Sequence, residues 1–344
     1  MTRRRDPVQA RADGSHDLYD VATWEARSRL DRISVRLHRW LNLTLRAVVI
    51  LAAVLIFVSQ FALGGFGAVT DPTVTALVVL SALPALGLAW YVHREDATSG
   101  EPLELLVATF ILGVLFAGFA GILNTVVGSS VQAIGSGFGT APLIGLILMF
   151  YLVVGPVEEV VKWLAIRLYA YRSDRFDAVI DGAVYGAVAG LGFATIENAL
   201  YITQNLNAVM LGSGNIVGAG SGITAVRALA GPGHVIYSAF AGYYLGLAKF
   251  NPENRGPIVV KGLLIAAVIH GTYNTLVSTV PDIVVALVPG ISPFTVFLGF
   301  VIVFDGIFGY ILLRKIRRYS RTYKELHHGK DASEFEVAKT EYDA

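Results

Sequence analysis

The chain has 344 residues, of which 54% are hydrophobic and 15% charged, with mean hydropathy +0.60 and net charge +1. Soluble domains carry about 25% charged residues, so this is an integral membrane protein, and no large basic field argues for nucleic acid. Cysteine is absent, which excludes disulfides, thiolate metal ligands and a cysteine nucleophile.

Residues 1–17 are polar and Arg-rich without an apolar core, so no cleavable signal peptide is expected there. Residues 20–40 interleave Trp24, Leu30, Ile33, Leu37 and Trp40 with Arg27, Arg29, Arg32, Arg36 and Arg39. That pattern predicts a basic amphipathic helix on the membrane surface, with a solvated cytosolic helix as the alternative. Eight apolar runs follow, at 44–63, 74–93, 104–127, 142–171, 178–203, 229–249, 257–278 and 291–313. Each is near the length of about 20 residues that crosses a bilayer as a helix. The expected architecture is all-α and polytopic: a cytosolic segment over 1–43, one transmembrane domain over 44–313 and a polar cytosolic tail over 314–344.

The loops test the orientation through the positive-inside bias. No Lys or Arg lies near Asp71, Arg94 follows the second run, and 128–141 is uncharged. Arg167, Arg172 and Arg175 come next, and 204–228 holds Arg227 as its sole cation. Then come Lys249, Arg255 and Lys261, a loop with Asp282, and a tail opening with Arg314, Lys315, Arg317 and Arg318. The bias alternates at every crossing, so both termini are expected in the cytosol.

Ionisable residues inside these runs carry the functional signal, because each costs about 2.5–3.5 kcal/mol at a helix centre. Glu158 and Glu159 are adjacent, and Lys162 lies one turn beyond Glu158 on the same face. Pro156 predicts a kink or a fresh helix start just before them. Glu197, His234 and His270 sit in three further runs, with Ser238 and Asn274 one turn after the two imidazoles. Counting about 1.5 Å per residue from the cytosolic ends puts Glu158, His234 and His270 at roughly 18–22 Å. Glu197 falls at roughly 28 Å by the same count, nearer the outer face.

Catalytic zinc takes three His or carboxylate ligands, keeps one position open, and works beside a carboxylate that transfers protons. Two His and several Glu at one depth suit that chemistry. A structural acid–base network and a transporter's proton path are the alternatives. Gly182, Gly186 and Gly190 recur at four-residue spacing, which lets helices approach closely. Asp181 is expected at an interface near the cytosol, and Asp305 has no assigned role. The sequence has no His-Glu-x-x-His, so the zincin design is absent.

Glu158-Glu159-x-x-Lys162, Glu197 with Tyr201, His234 with Ser238, and His270 with Asn274 together resemble the four motifs of the PrsW family of membrane proteases. That family lies in the wider group of CAAX-prenyl proteases and bacteriocin-immunity proteins. The resemblance covers about residues 142–276, and Ile196 stands where the family usually has Phe. It implies a zinc-dependent intramembrane peptidase that cleaves a membrane-anchored protein such as an anti-sigma factor. On this basis His234, His270 and Glu197 are expected to bind metal. Glu158 is expected as general base, Glu159 as a second acid that orients it or binds metal, Lys162 as charge balance and Asn274 as an oxyanion donor. A non-enzymatic transporter or immunity-type binding protein is the competing function.

Overall fold

The computed structural model of the chain describes residues 6–38, 72–98, 100–137, 142–211 and 216–340. Among these the protein is helical throughout, with no β-strand. Short helices α1 (Pro7–Arg11) and α2 (29–38) precede the bundle. The bundle contains α3 (Pro72–Arg94), α4 (Leu103–Gly137), α5 (Pro142–Met149) and α6 (Gly155–Leu168). It continues with α7 (Asp181–Leu211), α8 (Ile216–Phe250), α9 (Arg255–Val277), α10 (Val280–Leu287) and α11 (Pro293–Thr340).

Six helical stretches among the described residues are long and apolar enough to cross a membrane: Pro72–Arg94, Leu103–Val131, Leu143–Arg172, Asp181–Leu206, Pro252–Leu287 and Pro293–Leu326. The expected run at 44–63 lies outside the described residues. The run at 229–249 is helical within α8 but is not among the six. It buries His234, Tyr237, Tyr243 and Tyr244 against neighbouring helices. Exposed Leu80, Leu86 and Trp90 on α3, and Ile302, Val303 and Ile307 on α11, form the apolar exterior of a multi-pass membrane protein.

Two expected loops are largely helix. The uncharged stretch 128–141 continues α4 to Gly137, and 204–228 is divided between α7 and α8. Helix propagation adds one hydrogen bond per residue, and no Pro lies within 128–137, 204–211 or 216–228 to stop it. A π-helical turn, Phe150–Val154, separates α5 from α6. Helix α6 then restarts at Gly155 with Pro156 in its first turn, where the missing N–H is harmless. Its buried face carries Glu158, Glu159, Val161, Lys162, Ala165 and Ile166.

The segment before α2 departs from the expected amphipathic helix. Residues 17–28 form turns and bends, and helix covers 29–38; residues 39 and 40 lie outside the described residues. Trp24 is buried against the bundle core together with Val8, Val21 and Ala22. A Trp among arginines suits a membrane surface or the underside of a bundle equally well, and here cations from distant helices decide. Lys261 of α9 lies 2.8 Å from Asp31, and Lys315 of α11 lies 2.5 Å from Asp20. Ser28 and Asp31 form a capping box: Ser28 N–H donates to Asp31 Oδ2 at 2.6 Å, and Asp31 N–H to Ser28 Oγ at 3.1 Å.

Burial works against the charge on Asp31, but Lys261, Tyr19 and Ser28 outweigh it and hold the carboxyl well below its usual range. A carboxylate with a depressed folded pKa contributes stability above its unfolded value near about 4, and that contribution is lost as pH falls below it. Asp31→Asn is therefore expected to loosen the segment by about 1–3 kcal/mol at neutral pH. The difference from the wild type should vanish in acid. Amide hydrogen exchange over residues 17–35 checks both.

Candidate active site

Helices α6, α7, α8 and α9 each bring one part of the predicted set to a common centre. Glu158, Glu159, Lys162, His234 and His270 are all buried there. Glu197 joins them from α7 with its side chain 20% exposed, against 5% for Glu158. A cavity of about 670 Å³ opens over the group, lined by Glu158, Glu197, Tyr201, His234, His270 and Asn274 among others.

The hydrogen bonds define which nitrogen of each imidazole is bare of a proton. Lys162 Nζ donates to Glu159 Oε1 at 2.7 Å and to His234 Nδ1 at 2.9 Å. An ammonium has only protons to offer, so His234 Nδ1 accepts and the ring proton sits on Nε2. Nε2 lies 2.9 Å from Glu197 Oε2, the partner that this proton requires. In His270 the pattern is reversed. Nδ1 is 2.9 Å from Glu159 Oε1 and carries the proton, which leaves Nε2 bare. That bare nitrogen is 3.6 Å from Glu158 Oε2, and His234 Nδ1 is 3.9 Å from the same oxygen.

Glu158 Oε1 accepts from Asn124 Nδ2 at 2.9 Å, while Oε2 is buried with no hydrogen-bond partner. A buried carboxylate oxygen without a donor is costly. Here it lies 3.7 Å from Lys162 Nζ and near the unprotonated nitrogen of each imidazole, and one donor atom from each of Glu158, His234 and His270 lies within 4.8 Å of the others. Three carboxylates face two fixed cations, Lys162 and Arg227. An oxygen with no hydrogen-bond donor, two unprotonated nitrogens and surplus negative charge together fit a divalent cation, which would take the place of Lys162 at His234 Nδ1.

The structure places five of the six predicted site residues on the lining of this cavity, and Glu159 lies fully buried beside them. Glu197, expected as a metal ligand, stands behind His234 on the nitrogen that carries the proton. Its carboxylate is also taken by Arg227 Nη2. Glu159 stands behind His270 in the same way and receives Ser238 Oγ at 3.5 Å. Glu158, expected as general base, holds the converging oxygen. Asn274 lines the cavity one turn past His270. Asp305, left without a role, accepts from Tyr237 at 3.4 Å, and the Tyr237 ring packs 5.2 Å from that of His270. Asp181 caps the start of α7, accepting from the backbone of Asp177 and Ala178 at 2.7 and 2.9 Å.

Sequence reasoning missed Arg227, Asn198 and Asn124. Arg227 had been assigned to a loop, yet it lies seven residues before His234, two helical turns along the same face. That spacing was the available signal. A second acidic group, Asp96, Glu101 and Asp181, gathers at the ends of α3, α4 and α7, but it offers no imidazole.

Fold and site together define a polytopic helical membrane protein with a buried centre of carboxylates and imidazoles. The chain belongs to the PrsW family: the family described as PrsW family intramembrane metalloprotease matches residues 101–307. Protease PrsW of Geobacillus kaustophilus is 29% identical over 202 residues, which cover 58% of this chain and 79% of that protein. Protease PrsW of Bacillus subtilis is 28% identical over 216 residues, or 62% of this chain and 88% of that protein. Protease PrsW of Clostridioides difficile is 27% identical over 200 residues. No solved structure matches the chain. Membership resolves the choice that the sequence left open in favour of an intramembrane protease acting on protein in a membrane.

Proposed function

We propose that this protein hydrolyses a peptide bond within or beside the transmembrane segment of a membrane-anchored protein, using zinc held by His234, His270 and Glu158. The observation that carries this is the convergence, inside a cavity, of two unprotonated imidazole nitrogens, one of them in contact with Lys162, on a carboxylate oxygen that accepts no hydrogen bond. Zinc there would supply Lewis acidity and a hydrolytic nucleophile at neutral pH. Glu159 and Glu197 fix the two imidazoles in complementary tautomers, the carboxylate–histidine arrangement common behind metal sites. Lys162 balances the buried charge and holds Glu159. Glu158, expected from its motif as general base, is a metal ligand in this proposal, with Oε2 toward the metal and Oε1 held by Asn124.

Asn274 is the oxyanion donor in this proposal. It lies on the cavity wall beside His270, where an amide N–H can meet a developing negative charge. The substrate class rests on the family resemblance, which points to anti-sigma factors and other single-span proteins. The membrane is taken to be the bacterial plasma membrane, with both termini in the cytosol. The alternation of Lys and Arg across the loops supports that orientation.

Co-expression with a single-span reporter tests the activity. The wild type is expected to release a fragment cut in or near the span. Asn274→Ala should slow that release by about 10²–10³-fold with zinc content unchanged. Equal rates for the two would remove Asn274 from the mechanism, and intact reporter in every wild-type culture across a library of spans would contradict the protease assignment.

A further inference from the structure

We propose that Arg227 is a positioning residue for this centre: it clamps Glu197 onto His234 Nε2 and so, together with Lys162 on Nδ1, fixes the orientation and tautomer of that ring. The inference deepens the metal-site reading above and rests on it for its consequence, though not for its geometry. Arg227 is seated on three sides. Its Nε donates to Asn198 Oδ1 at 2.8 Å, its Nη2 pairs with Glu197 Oε2, and its guanidinium lies 4.5 Å from the Tyr201 ring centre. Asn198 is itself anchored to α3, donating from Nδ2 to Ser81 Oγ at 3.0 Å.

A chain of contacts thus runs from Ser81 through Asn198, Arg227 and Glu197 to His234 Nε2. Each member has a reason to be specific. A guanidinium presents a planar fork that holds an amide oxygen and a carboxylate in one fixed plane, an orientation the point charge of an ammonium does not impose. A carboxylate on Nε2 keeps the ring proton there and so acts with Lys162 to keep Nδ1 unprotonated. Without Arg227, Glu197 would be a cavity-wall carboxylate free to rotate away, and His234 would lose one of the two contacts that select its tautomer. Lys162 on the opposite nitrogen would remain, but it restrains one end of the ring only.

The test uses the full chain in detergent at fixed pH, with two readouts. The first is the ring-nitrogen NMR shifts of ¹⁵N-histidine-labelled, metal-free protein, with His234 identified by difference from His234→Gln. The second is the affinity and visible spectrum of bound cobalt(II). In the wild type His234 is expected as a single tautomer protonated on Nε2. Arg227→Met should give mixed tautomers, a changed cobalt spectrum and about 10–100-fold weaker cobalt binding. Arg227→Lys should recover the tautomer in part. Asn198→Ala, which leaves Arg227 in place but unseated, should shift both readouts in the same direction by less, and it serves if Arg227→Met does not fold. Unchanged tautomer and cobalt affinity in the Arg227 variants, with a lowered melting temperature, would overturn the proposal and leave Arg227 as a tie between α7 and α8. If the wild type binds no cobalt, the metal reading fails, and the tautomer alone decides the role of Arg227.

Discussion

Glu158→Gln is expected to lower peptide-bond cleavage by at least about 10³-fold without unfolding the protein. The change is nearly isosteric. It keeps an oxygen to accept from Asn124, and it removes one negative charge from a buried group in which carboxylates outnumber fixed cations. The melting temperature should therefore hold or rise while activity collapses. Glu159→Gln should behave differently, although the residue is adjacent and of the same type. Glu159 receives both Lys162 and His270, so the amide leaves an ammonium and an imidazole N–H short of an acceptor in a dry interior. Loss of stability and of activity are expected together there. Paired thermal melts and reporter assays on the two variants separate a carboxylate that faces chemistry from one that holds structure.

The second large effect lies in the crossing of α7 and α8. A Cβ on Gly242 would lie 2.0 Å from the Gly182 carbonyl oxygen, and one on Gly182 would lie 2.1 Å from that of Gly242. One turn further along, Gly186 faces the Ser238 carbonyl at 2.3 Å, and Gly190 faces that of His234 at the same distance. The obstacles are backbone, which cannot swing aside as a side chain does. Gly242→Val is expected to abolish folding, seen as loss of a monodisperse peak in size exclusion. Gly190→Ala is the more informative change. It should cost about 1–3 kcal/mol from overpacking. Because the carbonyl it presses belongs to His234, cobalt affinity should fall as well. An Ala at Gly87 or Gly121, whose added Cβ would meet nothing within 4 Å, is the control.

Much of the centre was legible in the sequence for one physical reason: a charge in an apolar run needs compensation, so Glu158, Glu159, Glu197, His234 and His270 stood out. Their meeting could be inferred from depth alone, and even the misfit was informative. The residue count put Glu197 nearest the outer face, and its side chain is the most exposed of the three carboxylates. What depth cannot give is rotation about each helix axis. Whether Glu158 or Glu197 faces the two bare nitrogens depends on that rotation and on which cation each meets. Arg227 was hidden because a weakly apolar, Gly-rich stretch reads as loop, whereas tertiary packing extends α8 through it. Trp24 was misread for a related reason. Its hydrogen-bond partners are Asn251 and Asn254, more than two hundred residues away, which local pattern cannot see.

Metal content of the detergent-purified full chain, measured by mass spectrometry beside His234→Ala and His270→Ala, tests the centre most directly. Near-stoichiometric zinc in the wild type, lost in both variants while they remain folded, is the expected result. A folded wild type that holds no metal even after zinc is resupplied would contradict a zinc site at Glu158, His234 and His270.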